Sequence, residues 1–297
     1  MKNLGNISVV IMAVSLLISC IEPVTNNITK PIPDNYWFQG KAEITSFTLK
    51  QARYGEVHEG EAVLIFVSEP FSEKSFTKAD NKTEEDVDVL KLNFTKNFNT
   101  GIYPYSMMTS TFYPFKKGEH SLKISSSSQE WCGHTYMEMK PNDSTFAIDI
   151  NSYFEGETST ASIAKTILED DLWSIIRLNP TGLPQGKNLA FVPSFFYLRL
   201  KHKTTQAYSC EATLLEEANK FVYRVNYPSL QRKLAISFEK QNPYKIIGWT
   251  ETYQSGWGGS AQTLTTTASR KKTMLIDYWN KNKKQYAPLR EELGLSQ

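Results

Sequence analysis

Trp131-Cys132-Gly133-His134 places a thiol and an imidazole two residues apart. A thiolate is a strong nucleophile and an imidazole its usual base, so Cys132 and His134 are the pair from which covalent, hydrolase-type catalysis would be built. On a strand the two side chains share a face, and Glu130 or Glu138 would share it as an orienting acid. Cysteine hydrolases of the cell envelope instead draw their histidine from a distant stretch and often open a helix with the nucleophile, and neither holds here. A non-catalytic strand is therefore the leading reading of this segment, and an envelope hydrolase the alternative. Glu169-Asp170-Asp171 sets three carboxylates in a row. Consecutive helical positions point in different directions, which predicts a solvated helix face rather than a cation or acid–base site. The four histidines, His58, His120, His134 and His202, show no ligand spacing, and there is no CxxC, so neither a metal nor another cofactor is expected. No GxSxG elbow, phosphate loop or dinucleotide fingerprint occurs. A net charge of +2 gives no basic signature for nucleic acid.

Aromatic residues are the denser signal, at 12% of the chain. Tyr36-Trp37-Phe38, Phe195-Phe196-Tyr197 and the set Trp249, Tyr253 and Trp257 stand out. In a barrel or half-barrel such residues either pack a core or line a cavity for an apolar ligand. Trp257, in Gly256-Trp257-Gly258-Gly259, reads as an exposed loop residue. Trp249, Tyr253 and Trp257 are thus the candidate ligand or partner contacts.

The elements that must position these residues are mainly strands. Alternating or continuous apolar runs bounded by turn signals occur at 40–51, 61–68, 87–94, 102–114, 120–127, 130–139 and 145–154. They resume at 188–203, 207–216, 220–227, 232–239, 244–253 and 261–278. This spacing predicts a mainly β fold, a curved antiparallel sheet, barrel or half-barrel. One amphipathic helix is expected over about 161–178, with Ile163, Ile167, Leu168, Leu172, Ile175 and Ile176 as its stripe and Pro180 as its stop. A short helix is expected at 288–293. Cys132 and Cys210 read as two separate thiols rather than a bridge. From Arg270 onward seven basic residues face three acids, a solvated edge or a contact for an acidic partner.

The N-terminus supplies an address. Lys2, the apolar run Ile7 to Ile18, then Ser19 and Cys20, form a secretory signal ending in a lipobox, Leu17-Ile18-Ser19-Cys20. Twelve residues make a helix of about 18 Å, too short for a hydrocarbon core of about 30 Å. Cys20 is thus the expected lipidation site, 1–19 the signal peptide, and 20–35, with Pro23, Pro31 and Pro33, an extended tether. The β-rich body covers 36–297, as one unit or as two halves, 36–155 and 156–297.

The segments Gly101 to Ser106, Ser128 to His134, Thr265 to Ala268 and Leu289 to Leu295 resemble those of uncharacterised Bacteroidota (flavobacterial) lipoproteins. That resemblance runs over most of 35–297 and implies no established activity. Some members carry the label "septum formation inhibitor Maf". True Maf proteins are cytoplasmic nucleotide pyrophosphatases with an early Ser-x-Arg-Arg type motif, which this chain lacks. Lipoproteins of that lineage bound for the outer surface tend to carry acids just after the lipidated cysteine, and here Ile21 follows. The expectation is a lipid-anchored protein of the envelope facing the periplasm, non-enzymatic, binding an amphiphile, a glycan or an envelope protein. A structural subunit of an envelope complex, with Trp257 and the basic C-terminus as contacts, is the remaining alternative.

Overall fold

The computed structural model describes residues 34–116 and 119–295. The signal peptide, Cys20 and the tether up to residue 33 lie outside the described residues. The chain is mainly β. Its strands are β1 (Ala42–Arg53), β2 (Glu56–Ser72), β3 (Thr77–Lys78), β4 (Val87–Thr100), β5 (Tyr103–Pro114), β6 (Ile124–Glu130), β7 (Gly133–Pro141) and β8 (Thr145–Ser152). Then follow β9 (Ser159–Ala164), β10 (Ile167–Leu168), β11 (Gly186–Val192), β12 (Tyr208–Glu216), β13 (Phe221–Tyr227), β14 (Arg232–Phe238), β15 (Ile246–Ser255) and β16 (Gln262–Ile276). Four short helices accompany them: α1 (Asp34–Trp37), α2 (Leu172–Leu178), α3 (Phe195–Leu200) and α4 (Pro288–Glu292).

All 16 strands join one sheet, ordered β10-β11-β12-β13-β14-β15-β16-β1-β2-β4-β5-β6-β7-β8-β9, with β3 on β2. Two antiparallel meanders, β1–β9 and β11–β16, meet where β1 pairs with β16. The two free edges, β9 and β10, are consecutive in the chain, and the two residues between them reach both sides. Lys165 donates its N–H to the Ser144 carbonyl and Thr166 donates its hydroxyl to the Ala190 carbonyl. The sheet therefore curls until its edges come together at this corner, which is the barrel-like form that alternating strands with short turns favour.

Strand alternation sets the inner face. On β4, Leu92, Phe94, Lys96 and Phe98 are buried, and on β6 Ile124, Ser126, Ser128 and Glu130 are. The segment from β10 to α3 plugs the interior. Trp173 of α2 meets Phe94 and Trp249 edge-on at ring distances of 5.1 and 5.3 Å, and Phe196 of α3 meets Phe94 at 5.2 Å. A second, smaller cluster lies on the outer face, where Leu293 and Leu295 cover Ala42, Ile44, Val63 and Val67. Lys271 of the basic C-terminal stretch pairs there with Glu61, and Arg270 pairs with Glu239.

Two element boundaries differ from the sequence reading. The expected helix over 161–178 begins only at Leu172, because Ser159–Ala164 pairs along β8 as an edge strand. Its small and β-branched residues suit a pleated edge better than a helix start. The stretch 188–203 is not one strand: β11 stops at Val192, Pro193 offers no N–H to continue the ladder, and α3 follows. The β1–β2 hairpin turns through Tyr54 and Gly55, both at positive φ, 55° and 83°. A Cβ on Gly55 would stand 2.6 Å from the Ser260 carbonyl oxygen, so glycine is required there for space as well as for φ.

Candidate functional site

Two charged constellations stand inside the barrel. The first overturns the expected solvated face: Glu169, Asp170 and Asp171 are all buried. Glu169 accepts both Arg232 Nη groups at 2.5 and 2.6 Å and the Tyr227 hydroxyl at 2.6 Å, while Arg232 Nε reaches Glu251 at 2.7 Å. Asp170 accepts the Phe195 N–H at the start of α3, and Asp171 accepts the N–H and hydroxyl of Ser121. Burial pushes Asp170 up to about 6 and Asp171 up to about 7, against those hydrogen bonds. Lys96 is buried nearby with its ammonium over Phe94 and Phe196, and burial holds its pKa below the ordinary lysine value. A matching pair closes the other end of α2. Arg177 grips Glu43 with two Nη hydrogen bonds and lies over Trp37 and Phe66. Burial opposes the ionised Glu43, but Arg177 and the Tyr36 hydroxyl outweigh it and hold the carboxyl low. Arg232, Glu169, Lys96 and Glu251 do not line the cleft described below, and this constellation fastens the plug to the wall.

The second constellation lies at an open end. Because successive strands alternate, the turns β1–β2, β4–β5, β6–β7, β8–β9 and β15–β16 and the chain around α3 all gather at one end of the barrel. Contacts knit them together. Arg53, at the end of β1, donates to the Tyr105 hydroxyl from Nε at 3.3 Å and Nη2 at 3.1 Å, and to the Leu200 carbonyl. Tyr54 and Tyr105 share a hydrogen bond of 2.6 Å, and Tyr103 donates to Tyr54 at 2.9 Å. The Arg53 guanidinium also lies over the rings of Tyr54 and Trp257. Glu130 is buried at the same end, and its Oε2 has no hydrogen-bond partner.

Next to this network a cleft of about 350 Å³ opens between the β7–β9 arm and α3. Met137, Ile150, Ala161 and Leu198 give it apolar walls, and Glu157, Arg199, His202 and Lys203 stand among its polar lining. Arg199 pairs with Glu157 at 2.6 Å, His202 binds the same carboxylate, and Ser152 donates to it at 2.7 Å. Burial works against the Glu157 charge, yet the bonds from His202 and Ser152 and the charge of Arg199 hold it low. Serine and histidine both end on Glu157 rather than on each other, so no base stands behind the Ser152 hydroxyl and the group is not a nucleophilic triad.

The residues singled out from sequence are dispersed by the fold. Trp131 and Cys132 form the two-residue turn between β6 and β7, not a strand, since Glu130 pairs directly with Gly133. Cys132 and His134 are both exposed, and among the described residues no hydrogen bond joins them. Nothing in this arrangement activates the thiol. Cys210 is buried on β12, far along the chain, and both thiols are free. Trp249 and Tyr253, read as ligand contacts, are core: each is 3% exposed, Trp249 against Trp173 and Phe47, Tyr253 against Tyr197 with its hydroxyl on the Ala52 carbonyl. Trp249 and Tyr253 thus pack the interior of the barrel. Trp257 alone of the three is exposed, at the open end. Among the described residues no group of three His, Cys, Asp or Glu side chains is placed to hold a metal ion, and no helix is long and apolar enough to cross a membrane.

No family model matches the chain, and no curated protein matches it. A solved structure that resembles it is the β-barrel-like protein of a domain of unknown function, DUF1849, from Brucella abortus. The TM-score is 0.47 at 10% identity, over 80% of this chain and 98% of that one. A likeness of this degree says nothing about what the chain binds.

Proposed function

We propose that this chain is a lipid-anchored, non-catalytic protein of the cell envelope that faces the periplasm and binds an amphiphile at its open end. The observation that carries the binding half is the cleft beside α3. Met137, Ile150, Ala161 and Leu198 offer apolar surface, while Lys203 brings a positive charge to the same opening beside the Arg199–Glu157 pair. A ligand with one apolar segment and one anionic or hydroxyl-bearing head matches that division. The anchoring half is carried by the lipobox ending in Cys20.

Two measurements test the reading. Intact mass of the membrane-extracted protein should show processing to Cys20 with acyl mass attached, and Cys20→Ser should abolish it. Calorimetric titration of the body, residues 34–297, with dodecyl phosphate should show saturable binding that Ala161→Phe, which fills the cleft, weakens at least tenfold. No saturable heat, or an unchanged affinity in Ala161→Phe, overturns the binding half. An unmodified N-terminus overturns the anchor.

A further inference from the structure

The four most exposed large apolar side chains among the described residues are Ile102 at 86%, Tyr153 at 70%, Trp131 at 68% and Trp257 at 51%. Each sits on a different connection: Ile102 on β4–β5, Trp131 on β6–β7, Tyr153 on β8–β9 and Trp257 on β15–β16. All four connections belong to the open end. At the opposite end three hairpin tips are polar: Asn142-Asp143-Ser144, Glu217 to Lys220 and Glu239 to Asn242. Phe38 and Trp279, also exposed, lie at that opposite end but not on hairpin tips.

From this asymmetry we propose that the hairpin-tip end docks on a phospholipid surface, inserting Ile102, Trp131, Tyr153 and Trp257 into the interface. Ring contacts join these tips into one aromatic rim, Trp131 to Tyr103, Tyr103 to Tyr54, Tyr54 to Trp257, and Tyr153 through Phe154 and His202 to Trp257. Trp and Tyr are the residues that settle at the lipid–water boundary. Charge agrees with the lipid occupant. Lys201 and Lys203 leave α3 at this end: Lys201 lies with its ammonium over Tyr253 and Trp257, and Lys203 is exposed. Glu157, the carboxylate beside them, is already taken by Arg199 and His202. Phosphate headgroups would complement the two lysines. The chain from Cys20 to Asp34 also reaches far enough. A chain of that length, extended at about 3.1 Å per residue, covers at most on the order of 40 Å, comparable to the twelve residues of β1 at about 3.3 Å each. A lipid on Cys20 and the tips could therefore hold one bilayer together, giving the two signals that stable attachment needs. The inference rests on the amphiphile reading in one respect: docking brings the mouth of the cleft to headgroup level, where an amphiphile would enter.

The main hydrophobic core gathers residues from Trp37 to Ala268, and the body of residues 34–297 is the test protein. It should co-sediment with phosphatidylcholine vesicles, and more strongly when phosphatidylglycerol is added. The triple variant Ile102→Ser, Trp131→Ser, Tyr153→Ser should lose at least tenfold in vesicle affinity and keep its dodecyl phosphate binding. Phe38→Ser with Trp279→Ser should lose nothing. Fluorescence of the unaltered body should be quenched by vesicles with brominated acyl chains, and Trp131→Phe with Trp257→Phe should remove that quenching. Absence of vesicle binding, absence of quenching, or full binding by the triple variant overturns the proposal. Lost dodecyl phosphate binding with vesicle binding intact would overturn the cleft reading alone.

Discussion

Asp171 gives the sharpest test of the buried plug. Its carboxyl ordinarily titrates near 3.8, and in the fold burial pushes it up to about 7 despite two hydrogen bonds from Ser121. A folded state that holds a proton released by the unfolded chain is favoured at low pH. The stability it contributes is present below pH 4, falls as pH rises, and is gone above about pH 7. Well below its midpoint this one group gives a slope of about 1.4 kcal/mol per pH unit, which halves at pH 7, so the loss between pH 5 and pH 7 is about 2 kcal/mol. Asp170, pushed up to about 6, adds about 1 kcal/mol between pH 5 and pH 6. At roughly 2–4 °C per kcal/mol for a domain of this size, the melting temperature should fall by on the order of 10 °C over that range. Asp171→Asn keeps a carbonyl to accept the Ser121 hydroxyl but cannot titrate, so its loss of stability between pH 5 and pH 7 should be smaller by about 2 kcal/mol. Scanning calorimetry of both proteins at pH 5, 6 and 7 measures this directly. Parallel profiles for the two proteins would show that the buried carboxyl is not the source.

Arg232→Met leaves Glu169 and Glu251 buried without their shared cation, and chemical denaturation should show a loss of about 3–5 kcal/mol. Trp173→Ala opens a void beneath Phe94 and Trp249 and should cost a similar 3–5 kcal/mol by the same measurement. Cys132 should react with a maleimide in the folded protein, while Cys210, whose thiol burial pushes up to about 12, should react only after unfolding. Cys132→Ser should change stability by less than about 0.5 kcal/mol in denaturant titration.

Most of the architecture was legible because strand signals are local. Pro141-Asn142-Asp143 marks a turn without reference to the rest of the chain, and the expected strands fall on β1, β2, β4–β8 and β11–β16. The helix start was misread because the isoleucine spacing Ile163, Ile167 fits a stripe, whereas pairing to β8 decides the backbone of 159–164. The acidic triplet was misread for a related reason. Its partners, Arg232, Tyr227, Ser121 and the Phe195 N–H, stand 25 to 63 residues away. A run of carboxylates looks solvated until the cations that neutralise it are placed. The end cluster was legible only in fragments. Trp257 was flagged by its glycines, but Arg53, Glu157, Arg199 and His202 carry no mutual spacing. Ile102, Trp131 and Tyr153 gain meaning only from strand direction, which puts alternate turns together.

The pairing of β1 with β16 has a consequence for how the protein is made. Ala42 lies beside Ile276, so the first strand to emerge waits for the last. Each meander can zip hairpin by hairpin from neighbouring sequence, but their union is a contact across almost the whole chain, the kind that slows folding. Until synthesis ends, β1 and β15 each carry an open ladder edge able to recruit a stranger. A ribosome-bound chain is thus an incomplete sheet, with those two edges unpaired until the final strand arrives.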